Sequence, residues 1–186
     1  EKFERSQGLL YEMGITNPVD LIFIDKDKNM WCYANSFGFY RYRPDTGKSV
    51  FFPQNGQTGR LSSGIVTDIK ESDESYLFVF QSGLIQYMDK NSLQVSSTDY
   101  YLQQQQKANT HNYQAFVDAD NDVWIYSDSP LGTWLYLSRQ NEWKHLGTKR
   151  SDSPFSLSSD MVQDIMQDPN GLIWMATDHG GIDIID

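Results

Sequence analysis

The sequence predicts an all-β chain of about four repeated units, each a small four-stranded antiparallel sheet. Three observations predict it. An aromatic residue recurs at Trp31, Phe78, Trp124 and Trp174, at intervals of 47, 46 and 50 residues. Each aromatic follows a polar turn and precedes a glycine-containing loop with an alternating strand, the period-2 signature of a half-buried sheet. No segment carries the 3.6-residue period of a convincing amphipathic helix. The repeat is sharpest between LSSGIVTDI at Leu61–Ile69 and LSSDMVQDI at Leu157–Ile165, which lie 96 residues apart. Half of that distance predicts a unit between them, and YQAFVDADNDVWIYSD at Tyr113–Asp128 supplies it. LIFIDKDKNMWCYAN at Leu21–Asn35 supplies an earlier one.

Within each unit the elements follow in order. An apolar first strand, as in IVTDIK, leads to the turn DKDKN, ESDES, DADND or QDPNG. The second strand carries the aromatic: MWCYA, YLFVF, VWIYS, IWMAT. The third alternates: FGFYRYR, SGLIQYM, GTWLYLS, GGIDIID. A second turn leads to a fourth strand in KSVFF, LQVSSTDY and NEWKHL. Asn170-Gly171 and Pro44-Asp45-Thr46-Gly47 are turn signals, because these residues tolerate or preset turn dihedrals. QQQQKAN at Gln103–Asn109 is expected to form one helical turn. A unit of 40–50 residues cannot bury both faces alone, and radial stacking of such units is the β-propeller. The expected boundaries are 19–60, 61–107, 108–156 and an incomplete blade at 157–186, all in one domain. Residues 1–18 are expected to be a partial blade-like tail, since KFERSQGLLYEM resembles LFVFQSGLIQYM at Leu77–Met88. The four aromatics are expected to be buried at equivalent positions between blades, as core and not as ligand platforms.

Composition limits the function classes. The net charge of −10 argues against nucleic acid, which needs a basic surface, and against polyanionic ligands. No apolar run approaches the length of about 20 residues that spans a bilayer. There is no initiator Met and no signal peptide, so the chain reads as a processed product or an excised piece. The single cysteine, Cys32, excludes an internal disulfide and reads as a small buried hydrophobe. DKDKN and DADND start like calcium loops, but counting from Asp118 places Val123 where Gly is needed and Ser129 where Glu is needed, so they read as turns. His111, His145 and His179 lack metal-ligand spacing. No nucleophile elbow or phosphate loop is present, and nearly all acids lie in turns and not as a facing pair. No catalytic residue, metal or cofactor is expected.

LSSDMVQDIMQDPNGLIWMATDHGGIDIID, at Leu157–Asp186, closely resembles the two-component regulator propeller repeat: a Leu-Ser, an apolar strand, an Asp-x-x-Gly turn, a Trp, then Gly-Gly and an alternating strand. The Leu61 copy matches at its start but has Phe78 for Trp, and the other two copies are degenerate. The resemblance implies the periplasmic sensor region of a bacterial hybrid two-component histidine kinase. It implies signal transduction by a carbohydrate-sensing propeller that binds an oligosaccharide ligand and signals by altered domain packing. Implied partners are further propeller blades and downstream immunoglobulin-like and kinase domains of the same protein, with a homodimer left open. The same turn and Trp weakly resemble the Asp-box of sialidases, which is itself structural. A glycan-active propeller enzyme and a protein–protein interaction propeller are the alternative readings.

The binding face follows from blade topology. Loops after the second and fourth strands share one face, and the two hairpin turns share the other. The short loops of the first face carry Asn35, Phe37, Gln81, Asp128, Asp178 and His179. The long connections carry Arg60, Tyr100, Tyr101 and His111. Aromatic faces beside amides and charges suit sugars, whose C–H faces stack while hydroxyls hydrogen-bond. These ten residues are the expected ligand-binding set, for a neutral or weakly charged oligosaccharide.

Overall fold

The computed structural model describes residues 7–35, 37–106, 109–148 and 156–186. Their strands form separate antiparallel sheets in chain order. The first sheet holds β1 (Leu21–Ile24), β2 (Met30–Ala34), β3 (Gly38–Arg43) and β4 (Lys48–Pro53). The second holds β5 (Val66–Glu71), β6 (Ser75–Phe80), β7 (Ile85–Asp89) and β8 (Val95–Asp99). The third holds β9 (Gln114–Val117), β10 (Val123–Tyr126), β11 (Thr133–Leu137) and β12 (Glu142–Leu146). The fourth holds β13 (Val162–Gln167), β14 (Ile173–Thr177) and β15 (Gly181–Ile185). Each sheet is a meander, so each is a blade, and the architecture is the expected all-β propeller type.

The core lies between blades. Blade 1 contributes Trp31, Tyr33 and Phe39 to a cluster with Ile69, Tyr76 and Phe78 of blade 2. Leu77 and Val79 on the opposite face of blade 2 meet Ala115, Val123 and Ile125 of blade 3. Trp124 and Tyr126 of blade 3 meet Val162, Ile165 and Met175 of blade 4. The alternation of side chains along each second strand is what lets one strand feed two interfaces. The third strand begins under a close approach. A Cβ on Gly38 would sit 2.2 Å from the Phe52 carbonyl oxygen, and one on Gly132 equally close to that of Leu146. The loop glycines are therefore required by the fourth strand crossing above them.

One latch recurs. The indole Nε1 of Trp31, Trp124 and Trp174 donates to a carboxylate six residues earlier: Asp25 at 3.1 Å, Asp118 at 2.8 Å and Asp168 at 3.1 Å. In each turn the fourth residue takes a positive φ: Lys28, Asn121 and Gly171. Trp31 is fully buried and Trp124 is 4% exposed, whereas Trp174 is only half-buried. Phe78 departs from the expected equivalence. Its blade's turn, Ser72 to Ser75, is one residue shorter, so Leu77 pairs with Lys70 where Trp174 pairs with Met166. Leu77 takes the tryptophan site, and Phe78 takes that of Met175, on the face toward blade 1. The equal 17-residue spacing from each Leu-Ser was a coincidence of turn length.

Asp25 is the most enclosed of these acids, at 3% exposure. It also accepts from Tyr76 Oη at 2.8 Å and from the Asn29 backbone and side chain, with Arg41 Nη2 at 3.9 Å. Burial works to raise its pKa, but the hydrogen bonds from Asn29, Tyr76 and Trp31 outweigh it and hold the carboxyl below its ordinary 3.8. Asp168 is likewise lowered, by Trp174, Asn170 and Leu172 against the same burial effect. A depressed folded-state pKa means that the unfolded chain takes up protons first. The contribution is therefore full above about pH 4 and is lost as pH falls through the folded values. Chemical denaturation from pH 7 to pH 2 is expected to show stability falling below about pH 4, with a shallower fall in Asp25→Asn.

The amino-terminal segment differs from expectation. Gln7–Glu12 is a helix, α1, where the alignment with Leu77–Met88 called for a strand; residues 1–6 of that tail lie outside the described residues. Leu10 and Met13, one helical turn apart, face blade 1, and Met13 and Ile15 bury against Cys32, Ala34 and Tyr40. Ser49 Oγ donates to the Met13 carbonyl. The second helix, α2 (Tyr101–Gln105), begins two residues before the expected Gln103, and residues 107–108 lie outside the described set. Asp99 Oδ1 accepts the Tyr101 N–H at 2.7 Å and Leu102 is fully buried, which starts the turn early.

Candidate functional site

The loop face is stitched by main-chain bonds between adjacent connections. Gln81 donates its N–H to the Ile65 carbonyl and accepts from His111 N–H, at 2.8 and 2.9 Å. Asp178 N–H reaches Met161 O, and Val162 N–H reaches Ser127 O. The Leu-Ser motif belongs to the same frame. Ser62 N–H donates to Gln86 and Ser158 N–H to Asp183, both at 2.8 Å, tying each connection to the third strand of its own blade.

The ten expected binding residues fall into separate groups. Asn35 and Phe37 are exposed on blade 1, where Asp20 accepts the Asn35 N–H. Asp128 is exposed on blade 3. Gln81 and His111 are brought together, with the His111 ring 5.6 Å from Tyr113 and its Nε2 buried without a partner among the described residues. Asp178 and His179 meet at 2.9 Å, and the His179 ring stands out into solvent from a positive φ. Tyr100 is exposed, but Tyr101 lies flat on Trp143 with ring centres 5.4 Å apart and planes at 4°. Trp143 in turn donates to Asp99 at 2.9 Å. Tyr101 is thus engaged on the outer flank of blades 2 and 3.

Arg60 leaves the loop face. The connection from blade 1 runs down the outer edge of blade 2, where Gly59 O accepts the Val95 N–H at 3.0 Å. Arg60 there lines a cleft of about 330 Å³ with Leu93 and Gln94, residues of the hairpin turn at the opposite end. The cleft has an apolar floor of Phe51, Phe52 and Met88 and a polar rim of Thr58, Arg60 and Gln94. Polar groups outweigh apolar ones on its exposed lining, so the cleft is wetter than the usual small-molecule site, whose lining is mostly apolar.

Two clefts on the hairpin-turn face went unread in the sequence. One of about 410 Å³ lies along the turns of blade 1, and one of about 580 Å³ lies between blades 1 and 2. They share Asp27 and Arg41. Arg41 pairs across the strands with Trp31, and its guanidinium sits 5.5 Å over the indole. Only that cross-strand pairing signals it, and a turn-rich sequence hides it. Among the described residues, no group of His, Cys, Asp and Glu is placed to hold a metal. No helix among them is long and apolar enough to cross a membrane.

Comparison with known proteins follows the same lines. Residues 156–179 match the two component regulator propeller family model. No curated protein matches the chain in sequence. Among solved structures, the chain is similar to the extracellular domain of BT4673 from B. thetaiotaomicron, described as a one-component and as a hybrid two-component system. The TM-score is 0.63 at 19% identity, over 94% of this chain and 22% of that one. PorZ of the type-IX secretion system of Porphyromonas gingivalis gives 0.61 at 16% identity, over 90% and 26%. Virginiamycin B lyase from Staphylococcus aureus gives 0.54 at 12%, over 90% and 55%. The chain thus spans about a fifth to a quarter of the first two. A lyase beside a secretion-system component and an extracellular domain of a hybrid two-component system illustrates that such likeness carries the fold and not the chemistry. By its blades and its matched repeat, the chain is a β-propeller segment that carries a two-component regulator propeller repeat at residues 156–179.

Proposed function

We propose that the chain is a ligand-sensing propeller module in the periplasmic part of a hybrid two-component sensor. It binds a neutral or weakly charged oligosaccharide and passes the signal on by altered packing against downstream domains. The observation that carries this is the match to the regulator propeller repeat at 156–179, set in blades that resemble the extracellular domain of a one-component system over 94% of the chain. Sugar as the ligand class is supported by the Arg60 cleft, whose Phe51 ring is 43% exposed beside polar donors. The net charge of −10 disfavours sulfated glycans. The segment itself acts as a binding module without catalysis.

Calorimetric titration of a panel of neutral and sulfated oligosaccharides tests it. A neutral glycan is expected to bind, with affinity lowered about tenfold or more in Arg60→Ala or His179→Ala. Tyr101→Ala belongs in the series once circular dichroism shows that it folds without its stack on Trp143. Unchanged binding in all three excludes the Arg60 cleft, the outer flank at Tyr101 and the loop at His179 together, and a sulfated glycan as the tightest ligand overturns the charge argument.

A further inference from the structure

We infer that Arg41 is the carboxylate anchor of a second ligand site, on the hairpin-turn face, built for a basic α-amino acid. The side chain of Arg41 is 15% exposed, and its guanidinium lies 5.5 Å over the Trp31 ring. Its Nε is enclosed, yet it meets no acceptor among the described residues. Its ion-pair partner, Asp25, keeps Oδ2 3.9 Å from Nη2, beyond hydrogen-bond reach. Asp25 is already occupied. Its Oδ1 accepts from the Asn29 N–H and Nδ2, and its Oδ2 from Asn29 Nδ2, Trp31 Nε1 and Tyr76 Oη. Those bonds take up the roughly four lone-pair sites of an ionised carboxylate. A largely buried guanidinium whose Nε has no protein acceptor costs free energy, which an arriving acceptor recovers. A carboxylate fits the guanidinium fork with two parallel bonds.

The surroundings select the rest of the ligand. Arg41 and Asp27 line both turn-face clefts, of about 410 and 580 Å³, and each volume is within the roughly 300–1,000 Å³ of small-molecule sites. The smaller cleft adds the cations Lys28 and Arg43, of which Arg43 is paired with Asp45 at 3.1 Å. The larger adds the acids Asp73, Glu74 and Asp89, while its cation Lys90 is held by Glu71. Positive charge therefore gathers at Arg41 and Lys28, and negative charge on the far side of Asp27. An anion alone would meet those acids, and a cation alone would leave Arg41 without an acceptor. A molecule with a carboxylate and an ammonium on one carbon satisfies Arg41 and Asp27 together. A basic side chain then enters the larger cleft toward Glu74 and Asp89, with the Tyr76 ring as an apolar wall. These clefts share no lining residue with the Arg60 cleft and lie opposite the loop face, so the site is independent of the oligosaccharide reading.

NMR of the Arg41 Nε–H in the 186-residue chain, titrated with L-arginine, tests the site. The resonance is assigned by its loss in Arg41→Lys. L-Arginine is expected to shift it, and to bind about tenfold or more tightly than agmatine, which lacks the carboxylate, or L-glutamate, whose side chain meets the acids. In calorimetry Arg41→Lys is expected to weaken L-arginine binding about tenfold or more, because an ammonium cannot form the paired bonds. Circular dichroism checks that the variant folds. If it does not, Asp27→Asn on the exposed turn decides: a loss of about tenfold supports the ammonium contact, and unchanged affinity overturns it. No shift with L-arginine up to about 10 mM overturns the inference. So does agmatine binding as tightly, which makes the site an acidic patch, and so does an equal shift with sodium acetate, which makes Arg41 a plain anion site. Neutral oligosaccharides are expected to leave the Nε–H unmoved. A shift with them assigns the clefts to the glycan and overturns the inference, whereas their failure to bind anywhere leaves the L-arginine result standing.

Discussion

Trp124→Ala is expected to lower the folding free energy by about 3–5 kcal/mol, the range for emptying a large buried aromatic. The indole is 4% exposed and fills the boundary between blades 3 and 4, against Val162, Ile165 and Met175. Its removal leaves a cavity lined by two sheets, which cannot close without moving a blade. It also strips Asp118 of the 2.8 Å bond from Nε1. Urea denaturation followed by circular dichroism measures the loss, and a value below about 1 kcal/mol is incompatible with this packing. Trp174→Ala is the internal control. The same latch is present, but one side of the ring has no neighbour among the described residues, so a loss of about 1 kcal/mol is expected.

Asp25→Ala is expected to cost about 3–5 kcal/mol, as for breaking a buried charge network by removing one partner. Its two oxygens gather donors from both sides of the first blade boundary. Trp31 and Asn29 belong to blade 1, and Tyr76 belongs to blade 2. Alanine leaves those donors buried without acceptors and leaves the Arg41 guanidinium without its counter-charge. Asp25→Asn keeps one acceptor oxygen and is expected to lose less. Double substitution with Tyr76→Phe separates the two parts. If the latch joins the blades, the paired loss is well below the sum of the single losses. Additive losses place Asp25 in the turn alone.

Several features were legible because they are local. The turns were read from their acids, but the bond from each acid to the tryptophan six residues later went unread, although both ends lie on one hairpin. The alternation in MWCYA and VWIYS follows from the two-residue period of a strand. Failures came where a distance along the chain stood in for a position in space. Leu61 to Phe78 spans as many residues as Leu157 to Trp174, yet a turn shorter by one residue turns Phe78 to the other face, because register has period 2. Arg60 sits on the expected connection, but the hydrogen bond of Gly59 to Val95 draws that connection away from the loop face. The amino-terminal copy of a blade motif became a helix, and α1 with the turn after it sets Leu10 and Met13 against blade 1.

The amino-acid sequence by itself determined the repeat, the antiparallel blades, the turns and the burial of Trp31 and Trp124. Each rests on periodicity and on interactions within one hairpin, which neighbouring residues control. Only the tertiary structure decided which residues share a cleft and which of two faces each aromatic serves. Those depend on how one blade meets the next. Contacts such as Asp68 with Ala115 join residues 47 apart, and a one-residue change in any intervening turn resets them.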